Sequence, residues 1–294
     1  MAHPATVSAA ASASIDPLWY PCRISTTLLP RLPRDQHRRD SFVKLLSLAR
    51  DLRRRKARER QSLFVAEGVR TVEELLRSPR AIRGVLVAPQ LADAPRGAAL
   101  KDALEARGVT MEAVDFREFA SAAETESPQG VLAIADVPSR GFGDLPPTDA
   151  PLLVLDGVQD PGNVGTILRT AAALGACATI ALPGTVDLWN AKVVRSAVGA
   201  QFAHLAFAAG WDALAAHLTQ TGTMLWAAAA DGAPLAALAR PRRVALALGN
   251  EGAGVSAQVA AAAAARVAIP IGPGAESLNV AVAAGILLYE LRAR

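Results

Sequence analysis

From Leu152 to the C-terminus, short apolar runs alternate with segments whose apolar residues recur at helical spacing. The runs are Leu152–Leu155, Thr179–Leu182, Ala203–Ala208, Met224–Ala229, Val244–Leu248 and Val267–Ile271; helical patterns fall at 163–174, 187–198, 211–220, 256–264 and 277–292. A strand without polar alternation must be covered on both faces, and connections through helices bring successive strands in parallel. The pattern predicts an α/β domain over residues 151–294, a mostly parallel sheet with helices on each face. The alanine-rich stretch at 260–265 reads as helix, since alanine is the best helix former.

A smaller alternation precedes it. Leu63–Ala66, a helix with Val69, Val72, Leu75 and Leu76 on one face, strand-like Gly84–Ala88, a helix near Ala98–Arg107 and strand-like Gly130–Asp136 predict a compact α/β domain over 41–138. The Pro/Gly-rich stretch 139–150 reads as a linker. Residues 1–40, rich in Ala, Ser, Pro and Arg and lacking apolar periodicity, read as a disordered tail. An Arg/Ser-rich, acid-poor start also fits an organelle transit peptide, against which Asp16 and the prolines at 4, 17, 21, 30 and 33 stand.

Several function classes drop out on composition. With 51% hydrophobic residues the chain can bury a core. The long uncharged run Thr170–Val186 is interrupted by glycines, threonines and a proline, so no membrane span is expected. Cys22 and Cys177 are far apart and belong to no Cys/His cluster, which argues against a zinc site or a disulfide framework and suits the cytoplasm. The net charge of +4 hides a concentration: residues 44–60 carry eight Lys or Arg against Asp51 and Glu59, a net of +6, leaving −2 for the remainder. Phe42, Leu45, Leu46, Ala49 and Leu52 give this segment the apolar face of one helix that continues into Arg53, Arg54, Arg55, Lys56, Arg58 and Arg60. Such a run is either a solvated face or a phosphate-binding surface.

Three strand ends in the larger domain lead into loops of unusual composition, at the place where open α/β sheets bind ligands. The first is DGVQDPGNVGTILRTAAALG, Asp156–Gly175, in which Asn163 is expected to cap the helix and Gly175 to end it. Around Arg169 the helical neighbours Gly165, Thr166, Ala172 and Ala173 are small, leaving room over the guanidinium; an ordinary surface arginine is the competing reading. The second, LGNEGAGVS at 248–256, has glycines that allow close backbone approach, but it is neither a Walker A loop nor a dinucleotide fingerprint, and a plain strand-to-helix turn also fits. In the third, IPIGPGAESLNVAVAAGILLYE at 269–290, Glu276, Ser277 and Asn279 precede a helix that is apolar nearly all round and expected to be buried. Capping explains Ser277 but leaves Asn279 in need of a partner.

Taken together, these three loops closely resemble the signature motifs of the TrmH (SpoU) family of RNA 2'-O-ribose methyltransferases, within the SPOUT superfamily; the resemblance covers Leu152–Arg294. The basic helix and LFVAEGV at 63–69 resemble the family's L30e-like substrate-binding domain. The resemblance implies an enzyme that uses S-adenosylmethionine, a catalytic domain with a deep trefoil knot, a homodimer and an RNA substrate. Carried over by motif, the catalytic set is Asn163, Arg169, Glu251, Ser277 and Asn279. The cofactor set is Gly249, Asn250, Gly252, Ile269, Leu278 and Asn279, largely through backbone groups, and Ala281 stands where many relatives have serine. Arg53, Arg54, Arg55, Lys56, Arg58 and Arg60 are expected to bind RNA. By family analogy the substrate is a guanosine of ribosomal RNA, with transfer RNA as the alternative. A non-catalytic RNA-binding scaffold and a dinucleotide-dependent oxidoreductase are the rival classes. No histidine, lysine or cysteine in the three motifs offers itself as a base, and Arg169 remains either an electrostatic positioner or a literal base.

Overall fold

The computed structural model describes residues 45–292. The tail expected at 1–40, and Lys44 of the basic segment, lie outside the described residues.

The smaller sheet forms from β1 (Leu63–Glu67), β2 (Ile82–Val87), β3 (Met111–Ala113) and β4 (Val131–Asp136), in the order β1-β4-β2-β3. β4 runs antiparallel to both neighbours, so the expected α/β unit is mixed. Around it lie α1 (Leu45–Leu52), α2 (Arg55–Gln61), α3 (Val69–Arg77), α4 (Pro95–Ala106) and α5 (Phe116–Ala122). The single basic helix read from the sequence is two helices. Arg54 is extended (φ −87, ψ 129), and the chain turns there because the Arg58 guanidinium takes the carbonyls of Leu52 and Arg53 that the end of α1 leaves free.

The larger sheet contains β5 (Leu152–Asp156), β6 (Ala178–Ala181), β7 (Ala206–Ala208), β8 (Met224–Pro234), β9 (Val244–Gly249) and β10 (Ala265–Ala268), in the order β10-β8-β9-β5-β6-β7 with every pairing parallel. Its helices are α6 (Pro161–Leu174), α7 (Ala191–Ser196), α8 (Trp211–Thr221), α9 (Ala257–Ala262) and α10 (Val280–Leu291). One face of β5 and β9 (Leu153, Leu155, Leu246, Leu248) packs on α6 and α10 through Val164, Ile167, Leu168, Leu287 and Leu291; the other face builds a second core with α8.

Three expectations change here. The stretch 139–150 is packed rather than free, with Phe142 edge-on to Phe207 and stacked on His217. Asp149 is hydrogen-bonded to Arg242 and Arg243 at 2.9 Å each. Gly165 is small because α7 lies against it: a Cβ there would sit 2.6 Å from the Val193 carbonyl oxygen, so it clears space for a helix and not for a ligand. The helix at the C-terminus is apolar all round but buried on one side only. Ala284, Leu288 and Leu291 are enclosed, while Val282 and Tyr289 are about half exposed.

Candidate active site

Because all strands of the larger sheet are parallel, the carboxyl ends of β5, β8, β9 and β10 open on one side. Asp156, at the end of β5, is buried and accepts a 2.6 Å hydrogen bond from the Ser256 N–H, which ties the loop after β9 to the loop after β5. The Asn250 N–H and carbonyl both pair with Gly254 at 2.9 Å, and its side chain accepts from the N–H of Gly252 and Ala253 and donates to the Gly157 carbonyl, each at 3.0 Å. Only glycine fits at 249, since a Cβ would lie 2.0 Å from the carbonyl carbon of Gly254.

Two caps differ from expectation. Asp160, not Asn163, caps α6, accepting from the Asn163 N–H at 2.8 Å. Asn279, not Ser277, caps α10, its Oδ1 accepting from Ala281 and Val282 at 2.9 and 3.3 Å. A residue in the first turn has its side chain free for other work, and Asn163 uses that freedom. Its Nδ2 donates to Glu251 at 3.0 Å and its Oδ1 accepts from Asn279 Nδ2 at 2.9 Å. One chain of side chains, Glu251–Asn163–Asn279, therefore joins all three loops. Partial burial pushes the Glu251 carboxyl up, but hydrogen bonds from Asn163 and the backbone of Glu251, Gln159 and Asp160 outweigh it and hold the group below its ordinary value.

Beside this chain lies a cavity of about 420 Å³. Of the residues singled out in the sequence, Gly249, Asn250, Glu251, Ile269, Ser277, Leu278 and Asn279 line it. Gly252 is exposed on the loop outside it, and Arg169 is exposed on α6, six residues beyond Asn163 and away from the lining. Ala228, Ala229 and Ala230 form a wall that sequence reading missed. Three alanines in a strand carry no chemical signal, and their place follows from β8 lying between β9 and β10. Among the described residues no cluster of His, Cys, Asp or Glu is arranged to hold a metal ion.

Arg53, Arg54, Arg55, Lys56 and Arg60 are exposed on α1–α2, three of them offset by acidic neighbours: Arg54 and Arg60 meet Asp51, and Arg55 meets Glu59. Arg58 must be removed from the expected RNA-binding set. It is 5% exposed and its guanidinium is taken up by Asp187 and the carbonyls of Leu52 and Arg53 inside the protein.

Family models match both parts of the chain: the SpoU rRNA Methylase family over residues 150–289 and an MRM3-like substrate binding domain over 43–133. The 23S rRNA (guanosine(2553)-2'-O)-methyltransferase RlmP of Bacillus subtilis (strain 168) is 35% identical over 242 residues, which span 82% of this chain and 93% of that protein. The chain belongs to the SpoU rRNA methylase family. A second relative, the 23S rRNA (adenosine(1067)-2'-O)-methyltransferase of Streptomyces laurentii, is 34% identical across 65% of this chain and 72% of its own length. The crystal structure of an AdoMet-bound rRNA methyltransferase from Sinorhizobium meliloti superposes with a TM-score of 0.74 at 29% identity, covering 85% of this chain and 94% of that one. The resemblance read from the three loops and the α/β, parallel-sheet fold class expected of a SpoU protein both hold.

Proposed function

We propose that this chain methylates the ribose 2'-oxygen of a guanosine in large-subunit ribosomal RNA. Membership of the SpoU family makes it an S-adenosylmethionine-dependent RNA methyltransferase; the finer assignment follows the guanosine-specific relative. The observation that carries the reading is the Glu251–Asn163–Asn279 chain at the edge of the cavity, because it turns three separate loops into one surface.

The residues present fit the cofactor. The cavity lies within the roughly 300–1,000 Å³ of small-molecule sites, with Ile269 and Leu278 as apolar walls for a purine and loop backbone, from Gly249 onward, for its polar edges. When bound, the cofactor supplies an electrophilic methyl group. Around it, Asn163 and Asn279 hold the loops in register and Ser277 presents a hydroxyl at the cavity wall. In-line transfer demands an aligned nucleophile. Arg169, with its planar cationic guanidinium, orients the RNA phosphate and ribose and lowers the hydroxyl's pKa electrostatically. Arg53, Arg54, Arg55, Lys56 and Arg60 grip phosphates further along the strand.

Leu278, Val282, Ile286 and Tyr289 form an exposed apolar stripe from the cavity wall along α10, and we assign it to a second copy of this chain in a homodimer. A deep trefoil knot in the catalytic domain belongs to the same reading. Among the described residues no helix is long and apolar enough to cross a membrane, and we place the protein in the cytoplasm.

The test incubates the protein with S-adenosylmethionine and protein-free 23S ribosomal RNA made by transcription, then locates the methyl group. A single 2'-O-methylguanosine supports the assignment; no product, or methylation on a base, refutes it.

A further inference from the structure

The segment 187–199 is tied to both sheets. Asp187 Oδ2 accepts from Arg58 Nε at 2.8 Å and Nη2 at 2.6 Å, while Arg58 Nη1 donates to the carbonyls of Leu52 and Arg53 at 2.9 Å each. One guanidinium thus joins the end of α1, the body of α2 and the loop before α7. Next to it, Trp189 packs on Phe64 of β1 with ring centroids 4.5 Å apart. In the last turn of α7, Arg195 lies 3.8 Å from the buried Glu67 of β1. The same short helix is bound to the catalytic side. Lys192 is 3.8 Å from Asp160, the cap of α6. Gly165 of α6 packs where a Cβ would be 2.5 Å from Ser196 Cβ. Just past α7, Val198 sits at φ 50, a left-handed conformation that a β-branched residue holds only when its surroundings impose it.

We propose that Arg58 and Asp187 are a positioning pair. Through α7 they set the register between the basic α1–α2 surface and α6, which carries Asn163 and Arg169, and so decide where a bound RNA ribose falls. The role rests on the RNA methyltransferase reading for its kinetic consequence and on geometry alone for its mechanical one. Buried ion pairs are often replaceable by apolar residues without loss of folding, but apolar contact has no direction to lose.

The test compares the wild-type chain with Arg58→Met/Asp187→Leu and with Arg58→Lys, whose ammonium is a single point charge without the two-pronged fork. Spin labels at Ser47→Cys on α1 and Ala172→Cys on α6, in a Cys22→Ser/Cys177→Ala background diluted with unlabelled protein, report the distance between the layers. Kinetics on transcribed 23S ribosomal RNA report KM and kcat, and calorimetry reports S-adenosylmethionine affinity. In the double variant the distance distribution broadens, KM for RNA rises by about tenfold or more, and cofactor affinity is unchanged; Arg58→Lys falls between. Should the apolar pair fail to fold, Arg58→Lys alone carries the comparison. A distance distribution as narrow as the wild type's, or cofactor affinity falling in step with RNA affinity, overturns the proposal. If the wild type leaves this RNA unmethylated, the substrate assignment fails while the distance measurement still judges the pair.

Discussion

Asn279 has two separable jobs, and one substitution keeps the first while removing the second. Its Oδ1 caps α10 through the N–H groups of Ala281 and Val282, which fixes the amide so that Nδ2 faces Asn163 Oδ1 at 2.9 Å. Asn279→Ala loses both. The cap contributes about 1 kcal/mol, and the amide bond about 1 kcal/mol, less here because the site is exposed and water replaces it. A loss of about 1–2 kcal/mol lowers the unfolding midpoint of a unit this size by only a few degrees. Asn279→Asp keeps an equally good cap and adds a negative charge at the helix start, worth about 0.3–1 kcal/mol. It has no donor for Asn163, however, and sets a second carboxylate opposite Glu251 across that residue. Its midpoint should match or exceed the wild type's, while single-turnover methylation at saturating RNA and S-adenosylmethionine falls about tenfold or more. Calorimetric melting and the single-turnover assay read the two jobs independently. Wild-type turnover in Asn279→Asp would refute the claim that the chain joining the three loops matters beyond capping.

Other substitutions probe the rest of the framework. Gly249→Ala pushes a methyl into the backbone of Gly254–Val255, so S-adenosylmethionine affinity by calorimetry should collapse while the circular dichroism spectrum is retained; unchanged affinity would show the loop is not cofactor-facing. His204, buried beside the Thr179 hydroxyl at 2.8 Å, is held by burial at about pKa 4, against roughly 6.5 in the unfolded chain. The unfolded state therefore binds a proton between about pH 6.5 and 4 that the folded state refuses, and stability falls over that window by up to about 3 kcal/mol. Denaturant unfolding of His204→Gln should lack that slope, and parallel pH profiles for the two chains would count against it. Lys56→Gln should reduce the salt slope of RNA binding by about one, measured by filter binding from low to high salt; an identical slope would place Lys56 off the RNA. Arg169→Lys keeps charge but not the planar fork, and turnover should drop with cofactor affinity intact; near wild-type turnover would remove the case for a guanidinium.

The elements and loops of the larger sheet were legible in the sequence because side-chain periodicity and the composition of strand ends are local properties. Leu152–Leu155 and Val244–Leu248 are apolar throughout because helices cover both their faces, and the loops after them carry Asn163, Asn250 and Glu251 wherever the strands end up. What escaped was decided by groups far apart in sequence. Asn163 and Asn279, 116 residues apart, meet because α6 and α10 start side by side, an encounter that no local pattern encodes. The run from Arg53 to Arg60 reads as uniformly basic, yet Arg58 is drawn inside by Asp187, 129 residues away. No local pattern distinguishes it from its neighbours. Ala228–Ala230 became a cavity wall through strand order alone, and one side of α10 stayed exposed through how the sheet is covered. The sequence by itself determined which segments bear chemistry, since that depends on residue type and spacing. The tertiary structure alone decided which side chains reach one another and which remain in water, since those depend on contacts that periodicity does not encode.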